Sequence, residues 1–253
     1  MKPLLILKTG DLPRRVTEQL GRYERAFLNL LGDERCVVLD ARKDTLAETD
    51  WAGIIATGSP ASTYDSDAWI ARSEDFLRRA ADREVPIYGV CFGHQLVAQA
   101  FGGRVEKCPR GWELGTVGLS LTAEGRADRL FADLADSFLA HMSHGDVVTS
   151  LPPGAVSLAD NAHWPYQAFR LGERIWGTQF HPEFTPTILH NLIHSLSTAL
   201  PPEAFPAKPT ALPLREWLLA SVREAPAAQR CLANFARIGL NQDRSEIRQA
   251  QPS

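Results

Sequence analysis

Pro86-Ile87-Tyr88-Gly89-Val90-Cys91-Phe92-Gly93-His94-Gln95-Leu96 runs from a short apolar segment of β type straight into a segment of helical period. Pro86 closes whatever helix precedes it, because the residue before a proline is pushed out of the helical region. Cys91 falls at the switch, with Gly89 and Gly93 two residues to either side. On such a Gly-x-Cys-x-Gly elbow the nucleophile occupies strained backbone, and only glycine at the flanking positions lets strand and helix approach closely enough to project it. The helix N-terminus behind it favours thiolate over thiol. A lone cysteine is by default a small buried hydrophobe; the paired glycines and the strand-to-helix switch turn the reading towards a nucleophile.

Working outward, the chain alternates short apolar runs with helix-period segments. Leu4–Leu7 predicts a first strand. A helix follows over Leu12–Leu31, whose stripe is Val16, Leu20, Tyr23, Phe27, Leu30 and Leu31, and Gly32 ends it. Val37–Leu39 and Gly53–Ala56 read as the next strands, Trp69, Ile70, Phe76 and Leu77 mark a helix, Ile87–Val90 is strand four, and Phe92–Phe101 is helical. This order is that of βα units feeding a parallel sheet. After Gly102-Gly103 the pattern becomes alternation, in Thr116–Thr122, Phe138–Met142, Val156–Ala159, Gln167–Leu171 and Ile175–Gln179, so further strands are expected, some antiparallel. The expected fold is α/β, with a mostly parallel but mixed sheet. Leu189, Leu192, Ile193 and Leu196 form one helical face ending at Pro201-Pro202, and the five prolines of Pro201–Pro213 predict an extended connector to helices near Leu214–Val222 and Ala227–Leu240. Residues 1–200 are therefore expected to form one domain, with 201–253 a helical extension packed on it and the last ten residues frayed.

Composition narrows the class. The chain has 253 residues, 44% hydrophobic and 23% charged, enough apolar material for one sizeable core. The 27 Lys+Arg against 30 Asp+Glu give a net charge of −3 without long runs of one sign, which argues against nucleic acid as a partner. The N-terminal apolar run is too short for a signal segment and nothing approaches a membrane span, so the expectation is a cytoplasmic chain without membrane contact. Cys36, Cys91, Cys108 and Cys231 are far apart with no CxxC pair, against both a disulfide framework and a cysteine-rich zinc site.

A thiolate attacking a carbonyl needs a base that takes its proton and returns one to the leaving group. In Trp176-Gly-Thr-Gln-Phe-His-Pro-Glu-Phe184, His181 follows a strand and is fixed by Pro182, with Glu183 two residues on. Positions two apart in extended chain point to one side, so Glu183 can hold the tautomer of the His181 ring. Cys91, His181 and Glu183 are then nucleophile, base and orienter. His190 and His194 have the i, i+4 spacing of a metal pair but lack an HExxH glutamate and a third ligand, and no metal or other cofactor is expected. The six tryptophans are scattered and read as packing residues, with Trp112-Glu113 a candidate for the cleft mouth.

Gly89-Val-Cys-Phe-Gly-His-Gln95 and Gln179-Phe-His-Pro-Glu183, together with Thr57-Gly-Ser-Pro60 and Met142-Ser-His-Gly-Asp146, resemble the ordered motifs of class I glutamine amidotransferases, above all the GMP synthase glutaminase domain and its stand-alone relatives. The similarity covers roughly residues 40 to 200. The resemblance implies a doubly wound α/β sheet with helices on both faces, in a flavodoxin-like glutaminase architecture, and cleavage of a γ-glutamyl amide through a Cys91 thioester, releasing ammonia and glutamate. It assigns His181 as general acid/base and Glu183 as its partner, an oxyanion hole at the backbone of Phe92 and of Gly58 or Ser59, and substrate contacts at Gln95, Ser143, His144 and Asp146. His94 supports the loop. The sequence lacks the Ser-Gly-Gly-x-Asp phosphate loop of the synthetase half and a Gly-x-x-x-x-Gly-Lys-Ser/Thr loop. The resemblance thus leaves three readings: a glutaminase serving a separate synthetase subunit, a γ-glutamyl peptidase that needs none, and a partner-binding subunit silent until docked.

Overall fold

The computed structural model describes residues 2–47, 49–205 and 212–249, the last ten of these by their helical backbone alone. In chain order the elements are β1 (Leu4–Lys8), α1 (Arg14–Leu20), α2 (Glu24–Leu31), β2 (Cys36–Asp40), β3 (Gly53–Ala56), α3 (Ala68–Asp82), β4 (Ile87–Val90), α4 (Phe92–Ala100), β5 (Arg104–Lys107), β6 (Glu113–Leu121), α5 (Ala123–Arg126), β7 (Ser137–His144), β8 (Asp146–Ser150), β9 (Ala155–Asp160), β10 (Ala168–Leu171), β11 (Ile175–Thr178), α6 (Pro186–Ala199), α7 (Leu214–Leu219) and α8 (Pro226–Gln249). Nine strands form one sheet in the order β2-β1-β3-β4-β11-β10-β9-β6-β7. The half from β2 to β11 is parallel and the half from β11 to β7 antiparallel. Strands β1, β3, β4 and β11 are buried throughout, as continuous apolar runs covered on both faces must be.

Two apolar layers sandwich the sheet. One gathers Leu4, Ile6, Phe27, Ile55, Tyr88 and Trp176 under α2 and α8. The α8 residues Ala228, Cys231, Leu232, Phe235 and Ile238 recur at spacings of three and four, the stripe of a helix that buries one face. The other gathers Leu5, Leu7, Ile54, Phe76, Leu77, Leu96 and Val97 under α3 and α4. A third cluster joins Leu114, Leu189 and Ile193 to Phe205, Leu214 and Leu218. No described helix is long and apolar enough to cross a membrane.

The single helix expected over Leu12–Leu31 is two. Gly21 takes φ +82°, donates its N–H to Thr17 O, and ends α1. The break serves packing: α1 lies on α6, whereas α2 lies on β1 and α8, and one straight rod cannot reach both sets of partners. Two strands were not legible. β5 and β8 pair antiparallel in a small separate sheet, and both are short, polar and without alternation. Of the expected connector, Pro202–Ala204 forms one tight turn and Phe205 is buried. Residues 206–211 lie outside the described residues, as do 250–253 among the ten expected to fray.

Candidate active site

β4 delivers Cys91 to the C-terminal edge of the parallel sheet, where α4 begins. Cys91 has φ +54° and ψ −106°, a backbone conformation rare for any residue with a side chain. The turn is clamped by Cys91 N–H to Thr178 O at 2.8 Å and Gly93 N–H to Thr57 O at 3.0 Å. The flanking glycines are obligatory: a Cβ on Gly89 would lie 2.2 Å from Gly93 O, and one on Gly93 2.1 Å from Ala56 O. Phe92 is the first residue of α4, so its N–H has no carbonyl one turn back within the helix to donate to.

The neighbouring strand β11 pairs Thr178 with Val90 and so carries the chain to His181 beside the elbow. His181 N–H bonds to His141 O at 2.9 Å, and its ring stacks on Phe184 with centroids 3.9 Å apart and planes 3° from parallel. His181 Nδ1 donates to Glu183 Oε1 at 2.7 Å, leaving Nε2 without a protein partner. Burial works against the imidazolium, but interactions with the Cys91 and Glu183 side chains outweigh it and hold the His181 pKa well above its ordinary value. Cys91 Sγ itself lies 3.7 Å from Ser143 O.

The other sequence-predicted residues converge on a cavity of about 400 Å³ beside Cys91, lined among others by Ser59, Gln95, Ser143, His144 and Asp146. Gln95 Nε2 donates to Asp146 O at 2.9 Å and to Gln179 Oε1 at 3.1 Å. Asp146 accepts from Ser62 Oγ at 2.6 Å and from the Tyr64 hydroxyl at 3.0 Å. His144 lies between Asp146 O, 3.1 Å from Nδ1, and Glu113 Oε2, 3.0 Å from Nε2. Glu113 is buried behind His144 and bound also by Asn161 and Gln167, so it does not line the mouth. Burial alone would raise its pKa, yet the bonds from His144 and Asn161 hold it below the usual value. Trp112 does line the cavity; its N–H reaches Ala204 O at 2.7 Å, so the segment after Pro201 shapes this wall.

Gly58 lies beside His181, but its N–H donates to the Tyr23 hydroxyl at 3.3 Å, leaving Ser59 as the strand-three loop donor without that engagement. Tyr23 was read as a stripe residue of a core helix. Its hydroxyl, fully buried, donates to Glu183 Oε1 at 2.7 Å and so ties the carboxylate to the loop. No local signal marks it, since its partner is 160 positions away. His94 is buried against Phe169, and the rings of His190 and His194 lie 4.7 Å apart along α6, tilted by 55°. Among the described residues no three potential ligands gather to hold a metal ion.

Known proteins resemble the chain in sequence and in fold. The sequence profile described as "Glutamine amidotransferase class-I" matches residues 23–195. A GMP synthase [glutamine-hydrolyzing] of Porphyromonas gingivalis is 39% identical over 132 residues, 52% of this chain and 24% of that protein. The chain thus spans about a quarter of the length of such relatives. Gamma-glutamyl peptidase 4 of Arabidopsis thaliana is 28% identical over 200 residues, 76% of this chain and 79% of that one. A crystal structure of a glutamine amidotransferase from Thermotoga maritima superposes with a TM-score of 0.72 over 94% of this chain and 99% of that one at 17% identity, a likeness of fold. With its profile spanning most of the sheet and both sequence motifs, the chain belongs to the class I glutamine amidotransferase family.

Proposed function

We propose that the chain hydrolyses a γ-glutamyl amide through a covalent thioester on Cys91. The observation that carries this reading is the meeting, at one strained elbow, of Cys91 with a buried His181 already fixed by Glu183 at 2.7 Å. Cys91 Sγ attacks the γ-carbonyl carbon, and the oxyanion that forms is met by the Phe92 N–H and a donor of the Gly58-Ser59 loop. His181 passes its proton to the leaving nitrogen as the C–N bond breaks. It then takes a proton from water, which attacks the thioester, and returns that proton to the departing sulfur as glutamate is released and the thiol restored. Gln95, Ser143, His144 and Asp146 hold the charged ends of the glutamyl half. The region after residue 200 belongs to the same domain, because it supplies a wall of this site.

A second reading, an amidotransferase subunit whose hydrolysis waits for a synthetase partner, is favoured by the Gly58 N–H being occupied by Tyr23. A hole short of one donor loses roughly 10²–10³ in rate. Glutamate release from glutamine by the purified chain, with and without cell extract, separates the two. A glutamine-mimicking diazo-ketone is expected to label Cys91 alone, and Cys91→Ser to release no glutamate. Labelling of Cys36, Cys108 or Cys231 instead, or full turnover by Cys91→Ser, would overturn the assignment.

A further inference from the structure

The cleft at Cys91 has two compartments that meet at the sulfur. One is the polar cavity of about 400 Å³ that holds Gln95, His144 and Asp146. The other, about 110 Å³, is walled by Leu12, Pro13, Trp112, Phe184, Leu192 and Leu196. Cys91 and Ser143 line both, His181 only the apolar one, and Gln95 and Asp146 only the polar one. In the reaction proposed above, the glutamyl half needs the polar groups and the leaving nitrogen needs His181. The scissile bond therefore spans the junction, and whatever the nitrogen carries enters the apolar compartment.

From this partition we infer that the substrate is a γ-glutamyl amide of a short apolar primary amine, preferred over both glutamine and γ-glutamyl dipeptides. This rests on the γ-glutamyl reading and narrows it. Ammonia, the leaving group of glutamine, covers none of the apolar wall. In a γ-glutamyl dipeptide the leaving residue carries its α-carboxylate on the carbon bonded to the nitrogen, which brings that charge into the apolar compartment. Among the described residues no Lys or Arg lines the compartment, and its one carboxylate, Asp11, is already bound by Lys8 and Arg42 at 2.6 Å each. An unpaired carboxylate in such surroundings is strongly disfavoured. The volume sets the size: an apolar cavity of about 150 Å³ takes benzene, so this one suits an alkyl body of about three or four carbons. The balance is γ-glutamyl–NH–R plus water giving glutamate and R–NH₂, with no further reactant.

The test is glutamate release from glutamine, the γ-glutamyl methyl-, ethyl-, propyl- and butylamides, and γ-glutamylglycine. We expect kcat/KM to rise about fourfold for each methylene buried, up to the propyl or butyl member, with γ-glutamylglycine at or below glutamine. Leu12 and Leu196 are only partly buried, so Leu12→Gln and Leu196→Gln can fold; each should flatten the series to less than twofold per methylene, while the volume-conserving Leu196→Met keeps the slope. A flat wild-type series with brisk release from glutamine overturns the inference and leaves the γ-glutamyl reading standing. So does γ-glutamylglycine matching the butylamide, or a slope untouched in both glutamine variants. Glutamate from no member of the series, with or without cell extract, by a chain whose Cys91 still alkylates, overturns the γ-glutamyl reading itself.

Discussion

Tyr23 shows how one hydroxyl sets the state of two parts of a site. Among the described residues it gives the Glu183 carboxylate its only hydrogen bond besides that from His181, since Glu183 Oε2 has no partner there, and it receives the Gly58 N–H. Tyr23→Phe keeps the ring packed against Phe27 and removes only these bonds. A hydrogen bond to a charged group contributes about 1.5–3 kcal/mol, so kcat is expected to fall about 10- to 100-fold. If the role is positioning, KM changes little and diazo-ketone labelling of Cys91 persists; an unchanged kcat would remove Tyr23 from the machinery. His94 offers a test by pH. Burial pushes its pKa down to about 3, with the backbone of Gly177 and Tyr166 only partly opposing this. The unfolded ring takes up its proton near pH 6.5 and the folded ring only near 3, so its contribution to stability is complete above 6.5 and shrinks as pH falls between those values. The slope is about 1.4 kcal/mol per pH unit. His94→Gln should therefore narrow the gap between urea midpoints at pH 7.5 and pH 5, and an unaltered gap would show that other groups govern acid unfolding.

At the scale of elements, the elbow is a junction that tolerates no added atom. Gly93→Ala drives a methyl group into the backbone of β3, 2.1 Å from Ala56 O, where no flexible side chain can yield. The loss should exceed about 3 kcal/mol by chemical denaturation or leave the protein insoluble. Gly118→Ala in β6 is the control, since a Cβ there meets nothing within 4 Å and glycine is a poor strand residue. Its midpoint should hold or rise slightly. Cys91, itself buried, holds a left-handed backbone, φ +54°, which the bonds to Thr178 of β11 and to Thr57 just past β3 enforce. The same logic separates α1 from α2: Gly21 at φ +82° turns the chain so that Tyr23, just past the break, faces Glu183.

For the whole molecule, α8 closes the sheet face beneath the site. Phe235 is fully buried against Tyr88 of β4 and Trp176 of β11, the strands that deliver Cys91 and His181. Phe235→Ala should cost about 3–5 kcal/mol in unfolding free energy, and a midpoint within experimental error of wild type would deny α8 this role. What the sequence determined by itself is whatever spacing encodes: the βα order of the first half, the glycine-flanked elbow, and the two-residue offset that lets Glu183 reach His181 at 2.7 Å. Those depend on neighbours within a few positions, where the periods of strand and helix act directly. The short polar strands β5 and β8 escaped because no period marks them, and the break at Gly21 because glycine inside a helical stripe is locally permitted. The tertiary structure alone decided that Tyr23 meets Glu183, that Glu113 backs His144, and that the cleft divides into a polar and an apolar half. Each joins residues far apart in the chain, brought together by burying the two faces of one sheet, and a single sequence carries no local signal for contacts that packing creates.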